Sequence, residues 1–128
     1  ITDGDVSGAI SVADPNTGID IYMGIGGAPE GVLSAAALKC LGCQMQTRLV
    51  FQNTSEKNRA EKLGIKNLNK KYKIEDMVKE DVIFCATGVT DGDLVQGIKD
   101  LGKDFASETL VLHNSSKTNK IIKNQTKK

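Results

Sequence analysis

The chain has 128 residues, 39% of them hydrophobic and 26% charged, which suits one globular domain with a single core. Seventeen Lys and Arg against sixteen Asp and Glu leave a formal charge of +1, so the chain as a whole offers no electrostatic case for nucleic acid or an anionic membrane. No apolar run approaches the roughly 20 residues of a membrane helix, and the start Ile1-Thr2-Asp3-Gly4-Asp5 has neither the basic lead nor the apolar stretch of a signal peptide; both point to a cytoplasmic protein.

Residues 5–13 place Val6, Ala9, Ile10 and Ala13 at helical spacing behind an acid, which predicts a short helix started by Asp3 or Asp5 and stopped by Asp14-Pro15-Asn16-Thr17-Gly18. Ile19 to Ile25 is rich in β-branched and aromatic residues and reads as a buried strand ending in Gly26-Gly27. Pro29 then suits a first helical position, and Val32, Leu33, Ala36, Ala37 and Cys40 repeat at the helical period up to Gly42. Met45 to Phe51 reads as a strand, Ser55 to Leu63 as a helix capped by Thr54 or Ser55 and closed by Gly64, and Ile74 to Lys79 as a helical turn.

Asp81 to Ala86 is a strand running into the polar loop Thr87 to Asp93, and Leu94 to Leu101 reads as a short helix. Thr109 to His113 is a further strand, followed by a turn at Ser115 to Asn119 and a terminal hairpin through Ile121 and Ile122. Residues 123–128 form a polar, lysine-rich tail expected to fray, set apart from a domain over residues 1–122. Strands alternating with helices predict an α/β fold, a sheet with helices packed on it, whose strand-end loops are where ligands bind. The missing initiator methionine and the polar, glycine-containing first residues point to a piece of a longer chain.

Three motifs carry chemistry. Asp3-Gly4-Asp5 sets two carboxylates about a glycine that permits close backbone approach; the pair suits a hard cation or sugar hydroxyls, although Asp-Gly is also an ordinary turn and helix cap. Gly24-Ile25-Gly26-Gly27-Ala28-Pro29-Glu30-Gly31 leads from a strand into a helix, whose exposed amides and positive dipole end suit a phosphate or a sugar oxygen. There Glu30 is either a dipole-stabilising first-turn acid or a metal ligand reaching back over the loop. A dinucleotide site is disfavoured, since Pro29 stands where the third glycine belongs and Val50-Phe51-Gln52 has no acid to grip a ribose. The third loop repeats Asp-Gly-Asp at 91–93 and reads as a capped turn.

The remaining candidates are weaker. Cys40-x-x-Cys43 has half the spacing of a zinc site, but Cys85 and His113 form no second knuckle, so the cysteines are read as reduced thiols. His113 is the sole histidine, and nothing near it in sequence supports a catalytic base. Five lysines from Lys117 to Lys128 lack aromatic or arginine partners for a nucleic acid and are read as a solvated end.

Taken together, Asp3-Gly4-Asp5-Val6, the run from Asp20 to Gly42, Gln46-Thr47-Arg48-Leu49, the run from Asp81 to Leu94 and the stretch from His113 to Asn119 resemble the class II fructose-1,6-bisphosphatases, in the same order. The resemblance extends to about Ile122 and corresponds to the C-terminal portion of that family. It implies the lithium-sensitive phosphatase fold, with magnesium or manganese around the phosphate to be removed. It further implies that Glu30 is a metal ligand and that Asp3, Gly4, Asp5 and Gly27 contact the substrate. The family's acidic Gly-Thr motif, which supplies further metal ligands and a threonine beside the attacking water, has no match here.

The resemblance therefore implies that the full-length parent removes the 1-phosphate of fructose 1,6-bisphosphate in gluconeogenesis, with no catalytic residue in this fragment and no activity from it alone. Sedoheptulose 1,7-bisphosphate as substrate, or a non-catalytic sugar-phosphate-binding module, are the alternatives. A sheet cut through its middle exposes strand edges, so the chain is expected to associate with itself as a homo-oligomer or with its missing N-terminal part.

Overall fold

The structure, a computed structural model, describes residues 4–128. The architecture is α/β, and every strand pairing in it is antiparallel.

The first helix, α1 (Asp5–Ser11), follows Gly4 in the left-handed conformation, φ 79°, so glycine rather than a carboxylate occupies the cap and Asp5 is the first helical residue. A 3₁₀ turn at Pro15–Thr17 ends this unit, held by Asp14 Oδ1 accepting from Asn16 N at 2.9 Å.

Helix α2 (Ala28–Leu41) is the centre of the molecule. It closes on Gly42 at φ 73°, where Gly42 N donates to Lys39 O and Cys43 N to Leu38 O, the paired bonds that satisfy a helix C-terminus. Its small residues let neighbours approach on two sides. Ala37 and Cys40 join Ile10, Phe84, Leu110 and Leu112 in one core cluster, while Ala35 and Leu38 join Ile74 in another. Val32 and Leu33, expected in the apolar stripe, are exposed, and among the described residues the buried clusters take up α2 only from Ala35 onward.

Strands β1 (Gln46–Arg48) and β2 (Lys71–Lys73) form a small ribbon flanking α3 (Thr54–Lys62), with α4 (Ile74–Met77) following β2. Asn53, not Thr54 or Ser55, caps α3: its Oδ1 accepts from Glu56 N at 3.0 Å while Glu56 Oε2 accepts from Gln52 N. The larger sheet has β5 (Asp104–His113) at its centre. On one side β5 pairs β3 (Ile83–Thr87) and β4 (Lys99–Asp100), and on the other β6 (Thr118–Lys127), whose outer edge pairs with no described strand.

Three sequence expectations are corrected. Residues 19–25 are not a strand: they form neither helix nor strand and pair with no described strand, and Ile21, Met23 and Ile25 are exposed instead of buried. Leu94 to Leu101 is not a helix. Leu94 and Val95 turn into the core, and Gly97 packs against the Thr90–Asp91 backbone, where Asp91 Oδ1 accepts from Gly97 N at 2.8 Å. Residues 123–127 do not fray but complete β6. Lys123 pairs with Glu108 at 3.0 Å, Gln125 donates to Asp104 at 2.6 Å, and Lys128 reaches Asp100 at 2.7 Å over the Phe105 ring. Of the five lysines read as a solvated end, Lys123 and Lys128 have partners on β5 and β4, while β6 itself stays largely exposed.

Candidate functional site

Two chain segments far apart in local structure meet at the start of α2. The α1 start brings the Asp5 carboxylate against Gly26, where an added Cβ would lie 2.8 Å from Asp5 Oδ2. From the other side Glu30, in the first turn of α2, folds its carboxylate back onto Gly27, so that a Cβ on Gly27 would collide with Glu30 Oε2. The absence of side chains at Gly26 and Gly27 is thus what lets two carboxylates share one loop. Neither glycine has a positive φ, so close approach and not backbone conformation is the reason for them.

These groups line a cavity of about 610 Å³ together with Asp20, Gly24, Ser34 and Thr47. Its floor is the apolar side of α1 and α2, through Ala9, Val12 and Leu38. Its lining is mixed: the carboxylates of Asp5, Asp20 and Glu30 stand beside the apolar side chains of Ile21, Tyr22, Met23 and Met45, so a few placed oxygens sit on a largely apolar wall. The N-terminal dipole of α2 favours an anion at the same place, with Pro29 in the first turn where a missing N–H costs nothing.

Of the residues singled out from sequence, Asp5, Gly27 and Glu30 therefore line one cavity, Gly4 precedes them as the cap of α1 without lining it, and Asp3 is outside the described residues. The third glycine loop does not join them. Its Asp91 is a turn cap for Gly97, and Asp93 borders a separate cavity of about 380 Å³ beside Asp14 and Leu110.

A family model described as "Bacterial fructose-1,6-bisphosphatase, glpX-encoded" matches residues 1–126. The chain belongs to this family. Among curated proteins it is 42% identical to a D-fructose 1,6-bisphosphatase class 2/sedoheptulose 1,7-bisphosphatase of Synechococcus sp. (strain JA-2-3B'a(2-13)), over 95% of this chain and 39% of that protein. It is 40% identical to the fructose-1,6-bisphosphatase class 2 of Haemophilus influenzae, over 92% of this chain and 39% of that protein. The chain thus spans about two fifths of the length of the curated relatives it matches.

For this bisphosphatase-family chain the donor set bears on metal binding. Carboxylate oxygens suit hard divalent cations, yet among the described residues no group of three or more His, Cys, Asp or Glu side chains is placed to hold an ion. Glu30 fits as one oxygen ligand of a larger set. The cysteines offer no soft alternative: Cys40 is buried, which pushes its thiol pKa up, whereas Cys85 is exposed on β3.

Sequence reasoning missed one side-chain network. Asp81 Oδ2 lies 2.9 Å from His113 Nε2 and accepts from Ser115 Oγ at 2.8 Å, and Ser116 Oγ lies 2.8 Å from His113 Nδ1. The Ser115 hydroxyl first, and His113 second, hold the Asp81 carboxyl at about 2. The network ties the start of β3 to the β5–β6 turn, where Lys117 has φ 53°, and it borders neither cavity. Its members are 32 or more residues apart across Asp81, and only the Ile83↔His113 register, invisible in sequence, brings them together.

Asp20 and Thr47 were also not singled out. Asp20 lay in a predicted strand and Thr47 in another, and only the path of residues 19–27 over the α2 start turns both toward one cavity.

Proposed function

We propose that this chain is the sugar-phosphate-recognising part of a metal-dependent phosphatase that removes the 1-phosphate of fructose 1,6-bisphosphate, giving fructose 6-phosphate, in the cytoplasm as a step of gluconeogenesis. The observation that carries this reading is the convergence of Asp5 and Glu30 on Gly26-Gly27 at the α2 N-terminus, in a chain that belongs to the bisphosphatase family.

In this reading Asp3, Gly4 and Asp5 orient the sugar through hydroxyl hydrogen bonds, and Gly27 lets a substrate oxygen approach the backbone. Glu30 contributes one ligand to a magnesium or manganese ion, which neutralises phosphoryl charge and supplies an activated water when bound. Among the described residues no group of three or more His, Cys, Asp or Glu side chains is placed to hold an ion, which supports inactivity of the 128 residues alone and completion by the N-terminal part of a full-length protein. The outer edge of β6, which pairs with no described strand, supports assembly of that protein as a homo-oligomer.

Phosphate release from fructose 1,6-bisphosphate with Mg2+ or Mn2+ tests the proposal, comparing the full-length protein, its Glu30→Gln variant and this chain. Release by the full-length protein alone, lost in Glu30→Gln, is expected. Robust release by the 128 residues would overturn the assignment of the missing ligands.

A second reading, sedoheptulose 1,7-bisphosphate as an additional substrate, is favoured by the name of the 42% identical Synechococcus relative, a D-fructose 1,6-bisphosphatase class 2/sedoheptulose 1,7-bisphosphatase. The same assay with that substrate distinguishes the two. A non-catalytic sugar-phosphate-binding module would instead bind fructose 1,6-bisphosphate without releasing phosphate even at full length.

A further inference from the structure

Residues 20–25 lead from the α1 unit into the glycine loop, yet among the described residues none of their backbone N–H or C=O groups is hydrogen-bonded. Such groups in a folded protein are almost always paired with backbone, side chains or water. Apolar side chains alternate along the same stretch: Ile19, Ile21, Met23 and Ile25 are 39%, 69%, 82% and 83% exposed. Period-two alternation of β-branched and long apolar residues is the pattern of a strand with one face in a core. Three neighbouring large apolar groups so fully exposed exceed the scattered single residues of an ordinary surface.

We infer that residues 19–25 form a strand of a sheet completed by the part of the full-length protein that this chain does not span. This rests on the reading of the chain as one portion of a class 2 bisphosphatase. The occupant is argued from length: the matched region is 39% of each relative, so most of a relative's chain lies outside it and is available to cover this face. Completion bears directly on the site. The strand runs without a break into Gly26-Gly27 and forms one wall of the cavity that holds Asp5 and Glu30. Pairing its backbone on a neighbouring strand fixes the glycine loop onto which Glu30 folds from α2, so the rest of the protein sets the geometry of ligands this chain already carries.

Hydrogen exchange of the peptide covering residues 19–25, read by mass spectrometry in the full-length protein and in the 128-residue chain, tests the inference. Exchange slower by at least about a hundredfold in the full-length protein, with coil-like rates in the chain alone, is expected for a strand formed only on completion. Coil-like rates in both would overturn it. Protection in the chain alone that grows with its concentration would also overturn it, by making a second copy the occupant. A Met23→Asp variant gives an independent readout: its melting midpoint should fall in the full-length protein and stay unchanged in the chain, and an equal fall in both counts against the inference. Protection at full length without phosphate release supports the strand while removing the phosphatase reading, so the two fail separately.

Discussion

Glu30 and Gly27 are in contact through the Glu30 carboxylate, which folds back over the Gly27 Cα and leaves no room for a side chain there. The atom in the way is the far end of a flexible side chain, so a methyl group at residue 27 displaces Glu30 without disturbing the backbone. A Gly27→Ala substitution should therefore leave the urea unfolding midpoint of the chain nearly unchanged. In the full-length protein it should lower phosphate release by about 10- to 100-fold, the usual consequence of moving a positioned group by an ångström or so. Gly26→Ala should act in the same sense through Asp5, whose Oδ2 would lie 2.8 Å from the new Cβ. Unaltered activity in both variants would remove the carboxylates from the site.

Gly97 is the opposite case. A Cβ there would lie 2.5 Å from the Thr90 carbonyl carbon and 2.7 Å from Asp91 N, both backbone atoms fixed by neighbouring hydrogen bonds. Gly97→Ala is expected to destabilise the chain by about 1–3 kcal/mol, in the range of overpacking into a fixed neighbour. Equilibrium urea unfolding measures it, and a shift no larger than that of Gly27→Ala would mean that the loop adjusts freely.

The same contrast shows what the sequence made legible. Helices α1, α2 and α3 and strand β3 could be placed because their signals are local: Pro29 and Gly42 bracket α2, and Gly64, at φ 88°, follows α3. The meeting of Asp5 with Gly26 and of Glu30 with Gly27 was anticipated only as two separate glycine motifs, since nothing local says that they converge. The failures are non-local. Residues 19–25 have strand composition but no described partner, residues 94–101 have helical spacing overridden by the Gly97 contact, and the polar tail is ordered by pairing with β5 across a turn. Strand propensity reports fit to a neighbour more than any backbone preference, so a strand cannot be read without knowing what lies beside it.

Lys39 on α2 extends its ammonium to three backbone carbonyls, Val78 O at 2.8 Å, Lys79 O at 3.1 Å and Glu80 O at 2.8 Å, and so fastens the segment that leads into β3. Hydrogen bonds from charged groups each contribute about 1.5–3 kcal/mol when buried, and partial exposure here reduces the sum, so Lys39→Met should cost about 1–3 kcal/mol. The local signature matters more than the total. Amides 78–82 should exchange faster in the variant while those of α3 are unaffected, and uniform acceleration throughout the chain would show that Lys39 supports the fold at large and not this segment.

Asp81 sets the acid limit of the β3–β5–β6 corner. The Ser115 hydroxyl, with His113 second, holds its carboxyl at about 2, below the ordinary 3.8. A carboxylate whose folded pKa is lowered binds fewer protons folded than unfolded, so stability rises with pH across the interval between the two values. Its contribution is complete above pH 3.8 and is lost as the pH falls through about 2. Asp76, Asp100 and Glu108 are lowered as well, by Lys70, by Lys128 and by the Gln96 amide respectively, so an acid slope remains in any single variant. Asp81→Asn should flatten the curve of unfolding midpoint against pH between about 2 and 4 and leave the curve above pH 5 parallel to the parent. A variant whose curve runs parallel throughout would show that Asp81 titrates alike in the folded and unfolded chains, and that its contacts with Ser115 and His113 do not persist in solution.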